Sequence, residues 1–237
     1  MSDETRAQWI CTTLDTEGGE RVAASPTQPV SMGVAAKKSL WKTGTVLRVR
    51  FLQGTEALHD RVMEAAREWM LDGVKLTLAK AQKGERAQIR IAFDAEEGSW
   101  SYVGTDCLGI RPSQPTMNLG WATLQTPKRD FWSVVIHEFG HALGLLHEHN
   151  HPEALIQWNK PAVYADLEGY PNYWDRDTIE SNVFAKYAAS QVITTDFDRA
   201  SVMIYTIPSS WTTNHKSFMP SWKLSEGDAA TIRKLYA

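Results

Sequence analysis

A chain of 237 residues with 43% hydrophobic and 22% charged side chains can bury a full core, which excludes a disordered or fibrous protein. Its net charge of −3, with no cluster of lysine and arginine, argues against nucleic acid or an anionic membrane as the main partner. The start, Met1-Ser2-Asp3-Glu4-Thr5-Arg6, is polar and charged, and no apolar leader or transmembrane stretch follows it. The compartment stays open between the cytoplasm, leaderless export, and secretion with a leader already removed.

Residues 1–40 carry Gly18-Gly19, Pro26 and Pro29 and read as loops with at most a short helix. Thr45–Gln53 alternates Val46, Arg48 and Arg50 with Leu47, Val49 and Phe51, which predicts a strand. Glu56–Leu71 places Leu58, Val62, Ala65, Ala66, Trp69 and Met70 at helical spacing. Val74–Ala79 and Gln88–Phe93 alternate again, and Ser99–Gly104 and Thr116–Trp121 add strands. One of the last two is expected at the edge of a cleft, where free backbone groups can pair with an extended peptide.

Thr126-Pro127 then predicts an N-cap followed by proline at the first helical position. From Phe131 to Leu146 apolar side chains point nearly all round the helix, as they do in an element buried between two halves of a domain. Within it lies His137-Glu138-Phe139-Gly140-His141-Ala142-Leu143-Gly144-Leu145-Leu146-His147, a run of the form H-E-x-x-H-x-x-G-x-x-H. His137 and His141 are one helical turn apart and can reach a single Zn²⁺. Glu138, rotated off that face, is the candidate general base for a metal-activated water. Gly144 ends the helix in a left-handed turn, so that His147 returns as the third ligand from another direction. Three histidines leave the fourth position open, as in catalytic rather than structural zinc sites. His149 and His151 fall outside this spacing and read as plain surface histidines or as groups at the rim of the site or behind its ligands.

Beyond the motif regular structure thins. Asn159-Lys160-Pro161 opens a short helix to about Leu167, and Ile179, Val183, Phe184 and Tyr187 suit one face of a helix over Thr178–Tyr187. Two aromatic loops, 170–174 and 207–211, read as either packing segments or borders of a substrate pocket. Ser225-x-x-Asp228 is close to a capping box and predicts a closing helix.

The long zinc motif resembles that of the metzincin clan of zinc endopeptidases. So does Ser201-Val202-Met203-Ile204-Tyr205, which is similar to the clan's Met-turn in its S-x-M-x-Y form. The resemblance covers roughly Trp41 to Tyr236. It implies an α+β catalytic domain, with a twisted mixed sheet and two long helices in the upper subdomain and a loop-rich, mainly helical lower one. On this reading residues 1–40 are an N-terminal extension of prosegment-like character and 41–237 the protease domain, divided into 41–147 and 148–237. Met203 is then the apolar floor beneath the histidines. Tyr205 is an additional zinc ligand that swings to bond the developing oxyanion. Glu148, directly after the third histidine, and the closing helix resemble the astacins. Leu145 stands where astacins usually have Phe, the arginine-rich continuation is missing, and only Cys11 and Cys107 are present, so the astacin disulfides are absent.

The expected activity is zinc-dependent endopeptidase hydrolysis by a monomer that binds its peptide or protein substrate extended in the cleft. An inactive zinc protein that recognises peptides and a zinc hydrolase of non-peptide amides or esters stay open as alternatives. Retention of Glu138 weighs against the first. Cys11 and Cys107 are free thiols, one bridge, or zinc-bound, and Cys11, upstream of the core, is a candidate to fill the open zinc position and keep the enzyme latent.

Overall fold

The computed structural model describes residues 12–14, 35–170, 172–193 and 196–237. Cys11, the candidate latency ligand, lies outside the described residues. Strands β1 (Thr12–Leu14), β2 (Ala35–Ala36), β3 (Val46–Phe51), β4 (Thr77–Lys80), β5 (Ile89–Ala92), β6 (Ser99–Tyr102), β7 (Met117–Leu119) and β8 (Val192–Ile193) follow in chain order. The main sheet runs β1-β6-β7-β5-β3-β4, and β2 pairs with β8 in a small second sheet. Strands β4, β3, β5 and β7 are parallel, whereas β6 runs antiparallel to β7. The strand β1 was not foreseen in a stretch read as loops. It exists because β6 offers an edge of unpaired backbone groups, onto which Thr12–Leu14 adds in parallel.

Alternation sets the faces of β3: Leu47 and Val49 are buried and Val46 is exposed. All four residues of β5 are buried, as suits a central strand covered on both faces. Helix α1 (Glu56–Ala66) starts at Thr55, whose side chain accepts the Leu58 amide, and runs into a 3-10 turn, Arg67–Trp69.

Helix α2 (Lys128–Ala142) crosses the middle of the molecule. Its N-cap is Pro127, not Thr126 as the sequence suggested, because the Thr126 hydroxyl bonds the Trp121 carbonyl and the Thr123 side chain instead. Later helices are α3 (Lys160–Leu167), α4 (Arg176–Ile179) and α5 (Glu226–Tyr236). The helical face expected over Thr178–Tyr187 divides into α4 and a wider π turn, Glu180–Phe184. Helix α5 opens on the capping box: Ser225 Oγ accepts the Asp228 amide and Asp228 accepts the Ser225 amide, each at 2.9 Å.

Two apolar clusters flank the end of α2. One joins the sheet and α1 to Phe131, Val135, Ile136 and Phe139 and takes in Val202, Met203, Ile232 and Tyr236. The other gathers Val163, Leu167, Ile179 and Val183 around Ile204, Tyr205 and Trp211. The segment 202–205 therefore passes from one core into the other, and that crossing point lies at the site. Among the described residues no helix is long and apolar enough to cross a membrane.

Candidate metal and active site

The C-terminal end of α2 is built to hold still. An α-helix leaves its last carbonyls without intrahelical partners, and here each finds one. The Leu145 amide bonds the Gly140 carbonyl at 2.9 Å and the Gly144 amide bonds the His141 carbonyl at 2.8 Å, the two bonds of a Schellman turn. The Trp41 indole donates to Ala142 at 2.8 Å, and the Tyr236 hydroxyl to Leu143 at 2.7 Å. Gly144 has φ +94°, the left-handed conformation its sequence position demanded.

That turn brings His147 back onto the face of His137 and His141. Nε2 of His141 lies 3.1 Å from Nε2 of His137 and 3.1 Å from Nε2 of His147. These are not hydrogen bonds. Nδ1 of His137 faces the Val202 carbonyl at 2.8 Å, and Nδ1 of His141 the Leu145 carbonyl at 2.9 Å. A carbonyl only accepts, so in the neutral rings both Nδ1 atoms carry the proton and both Nε2 atoms point lone pairs inward. Burial keeps the rings neutral, pushing His137 down to about 4 and His141 and His147 well below the ordinary histidine value.

Lone pairs converging in a buried pocket repel unless a cation lies between them. Two nitrogens bound at about 2.0–2.1 Å to one tetrahedral zinc stand roughly 3.3 Å apart, within a few tenths of the spacing observed. The donor set therefore fits Zn²⁺. Among the described residues, His137, His141 and His147 are the one group of three or more metal-ligating side chains close enough to share an ion. The carbonyls of Val202 and Leu145 fix the ring planes from behind.

Gly140, which the sequence reading passed over, proves to be part of this construction. A Cβ there would collide with Met203 Sδ and come within 3.0 Å of the Trp69 ring. The missing side chain lets the Met203 thioether lie against α2 between two ligands. The signal was a glycine inside a helix, where it is disfavoured unless something packs closely on it. The segment that carries Met203 is held by Asp228, whose carboxylate accepts Ser201 Oγ at 2.6 Å and the Val202 amide at 3.0 Å. Ser201 Oγ in turn accepts the Met203 amide at 2.9 Å. The sequence marked Asp228 only as a helix cap.

Tyr205 stands edge-on to His147, ring centroids 4.3 Å apart, and Glu138 is 1% exposed. Glu138, His137 and Tyr205 share one cleft with Trp121, Val134, Met219, Pro220 and Trp222. Among the described residues of the aromatic loops 170–174 and 207–211 none borders it: Tyr170 and Tyr173 face solvent, while Ile207 and Trp211 are core residues.

His149 and His151 are not surface groups. They are 2% and 1% exposed, and with Asn150 they are clamped by the segment 182–187 and by Phe197. Glu148 is also buried, and its Oε1 accepts the Asp198 amide at 2.8 Å. Burial, with the Asp228 and Asp198 carboxylates adding to it, pushes Glu148 up to about 8. Cys107 is a buried free thiol pushed up to about 12 by desolvation, far from the range of a reactive cysteine.

The family model of the matrixins, a group of metallopeptidases, matches residues 42–168. Two solved structures of myroilysin resemble the chain. One is 39% identical with a TM-score of 0.82, covering 86% of this chain and 98% of that one. The other is 34% identical with a TM-score of 0.70, covering 100% and 93%. High choriolytic enzyme 1, a hatching enzyme zinc-protease from the medaka Oryzias latipes, shares the fold at 16% identity, with a TM-score of 0.58 and coverage of 87% and 98%. No curated protein sequence matches.

Proposed function

Since the chain belongs to the matrixins, within the metzincin clan of zinc metalloproteases, it is a zinc-dependent endopeptidase, and we propose the following roles for its residues. His137, His141 and His147 hold the zinc through Nε2. The chemistry a zinc supplies in such a site is Lewis acidity, which acidifies water and polarises a carbonyl. Glu138 takes the proton of the attacking water and returns it to the leaving amine. Its burial beside His137 supports that role, because a carboxylate kept from bulk solvent meets only the water of the reaction. Tyr205 donates its hydroxyl to the developing oxyanion, a contribution of about 3–4 kcal/mol where such donors have been removed from other enzymes. The observation that carries this reading is the convergence of three neutral imidazoles beside a buried carboxylate.

The substrate is a peptide, bound extended along the cleft by a monomer that needs neither nucleic acid nor membrane. The apolar walls made by Trp121, Val134, Met219 and Trp222 suit a bulky apolar side chain next to the cut. Strand β6 is the partner for the substrate backbone. Residues 1–40 form the prosegment-like extension and 41–237 the catalytic domain, and β1 supports this because it pairs with the edge a substrate would use. Cys11, immediately before β1, is the group proposed to fill the open zinc position.

A digest of casein and of a peptide library, with and without 1,10-phenanthroline, tests the reading. Internal cleavage should disappear with the chelator, return with added zinc, and map to bonds flanked by bulky apolar residues. Cleavage indifferent to the chelator would overturn it.

A further inference from the structure

His149 lies two residues beyond the third ligand and takes no part in the roles assigned above, yet it is only 2% exposed. Its Nε2 lies 3.0 Å from the Asn182 carbonyl, so Nε2 carries the proton and Nδ1 keeps a lone pair. That Nδ1 is buried and has no hydrogen-bond partner among the described residues. A buried acceptor left unpaired costs about 1–3 kcal/mol, which an apolar side chain at this position would avoid. Some compensating use of the ring is therefore expected.

The contacts of the ring indicate the use. Its centroid is 4.0 Å from that of Tyr205, with the planes 31° apart, so the two rings pack against each other at a tilt. On the side of the ligands, Tyr205 meets His147 edge-on at 4.3 Å. Trp158 stands edge-on behind His149 at 6.3 Å. The carbonyl that receives the His149 proton belongs to the π turn Glu180–Phe184, a rare wide turn, and Asn150 is tied to the same turn through Val183. One hydrogen bond thus sets the plane of the imidazole, and the imidazole sets one wall of the slot in which the phenol stands.

We infer that His149 is a positioning residue for Tyr205: its ring, oriented by the Asn182 carbonyl, confines the phenol so that the hydroxyl is presented to the cleft. This rests on Tyr205 acting on the oxyanion as proposed above. A side chain confined before reaction loses no further rotamer freedom at the transition state, so the effect belongs in kcat more than in KM.

A double-mutant cycle on one peptide substrate tests it, comparing the wild-type enzyme, His149→Leu, Tyr205→Phe and the double variant, with zinc content and melting temperature recorded for each. His149→Leu should lower kcat about tenfold with KM within about twofold, and the same change in the Tyr205→Phe background should lower kcat by less than about twofold. His149→Phe, which returns an aromatic face, should recover most of kcat; His149→Ala takes the place of the leucine variant in the cycle if that one does not fold. In metal-free protein labelled with 3-fluorotyrosine, the Tyr205 fluorine signal, identified by its loss in Tyr205→Phe, should move in the His149 variants. Equal losses in both backgrounds, an undisturbed fluorine signal, or full kcat in folded His149→Leu would overturn the inference. Full kcat in Tyr205→Phe would instead overturn the role of Tyr205 on which it rests.

Discussion

Asp228 and His137 are joined through a single residue: the Val202 amide donates to the Asp228 carboxylate at 3.0 Å, and the Val202 carbonyl accepts His137 Nδ1–H at 2.8 Å. One carboxylate therefore caps α5, holds the Met203 segment and, through the backbone of one residue, orients a zinc ligand. Asp228→Asn puts an NH₂ among three donors, the Ser201 hydroxyl and the Val202 and Ser225 amides. The variant should lose about 3 kcal/mol in urea unfolding. Its zinc affinity should fall about 10–100-fold in a chelator competition, the usual scale for loss of a group that supports a ligand.

Glu148 gives the metal-free protein a pH dependence whose sign can be stated. Burial raises its carboxyl from an ordinary 4.5 to about 8, so between those values the folded chain holds a proton that the unfolded chain has released. The stabilising contribution is complete below about 4.5 and is lost as pH rises through about 8. In chelator-stripped protein the buried histidines, held neutral in the fold, add a rise in stability up to about pH 6.5, so the fall due to Glu148 shows in the melting temperature between about pH 7 and pH 8. Glu148→Gln, which keeps an acceptor for the Asp198 amide, should flatten that slope.

Gly140→Ala tests whether the contact of Met203 with α2 matters. The added methyl displaces Met203 Sδ and crowds Trp69, so alanine should destabilise here despite its better helix propensity. The expected cost is about 1–3 kcal/mol by thermal or urea unfolding, as for other overpacked cores. The same variant should bind zinc more weakly, since the floor beneath His137 and His141 has to move.

What could be read from the sequence was what lies close together in it. The spacing of His137, Glu138, His141, Gly144 and His147 is a local geometric statement, and helix geometry with one left-handed glycine converts it directly into a site. The strands over Val46–Phe51 and Ile89–Ala92 fell within the expected runs for the same reason, since alternation is local. Burial of His149, Asn150 and His151 was missed because it is imposed from 182–187, Phe197 and Tyr205, far along the chain, and a polar cluster looks exposed until its partners are known. The second role of Asp228 was hidden in the same way: the capping box is four residues long, whereas the bond to Val202 spans 26 positions. The Thr126 cap failed because two threonines preferred each other to the helix.

The most direct test of the central claim is the turnover of a quenched peptide by zinc-loaded Glu138→Gln, with zinc measured in the same sample. The variant should carry one zinc per chain, because no ligand has been altered, and should lose kcat by at least about a hundredfold, the lower end for removal of a general base. Hydrolysis near the wild-type rate by that zinc-bearing variant would contradict the claim.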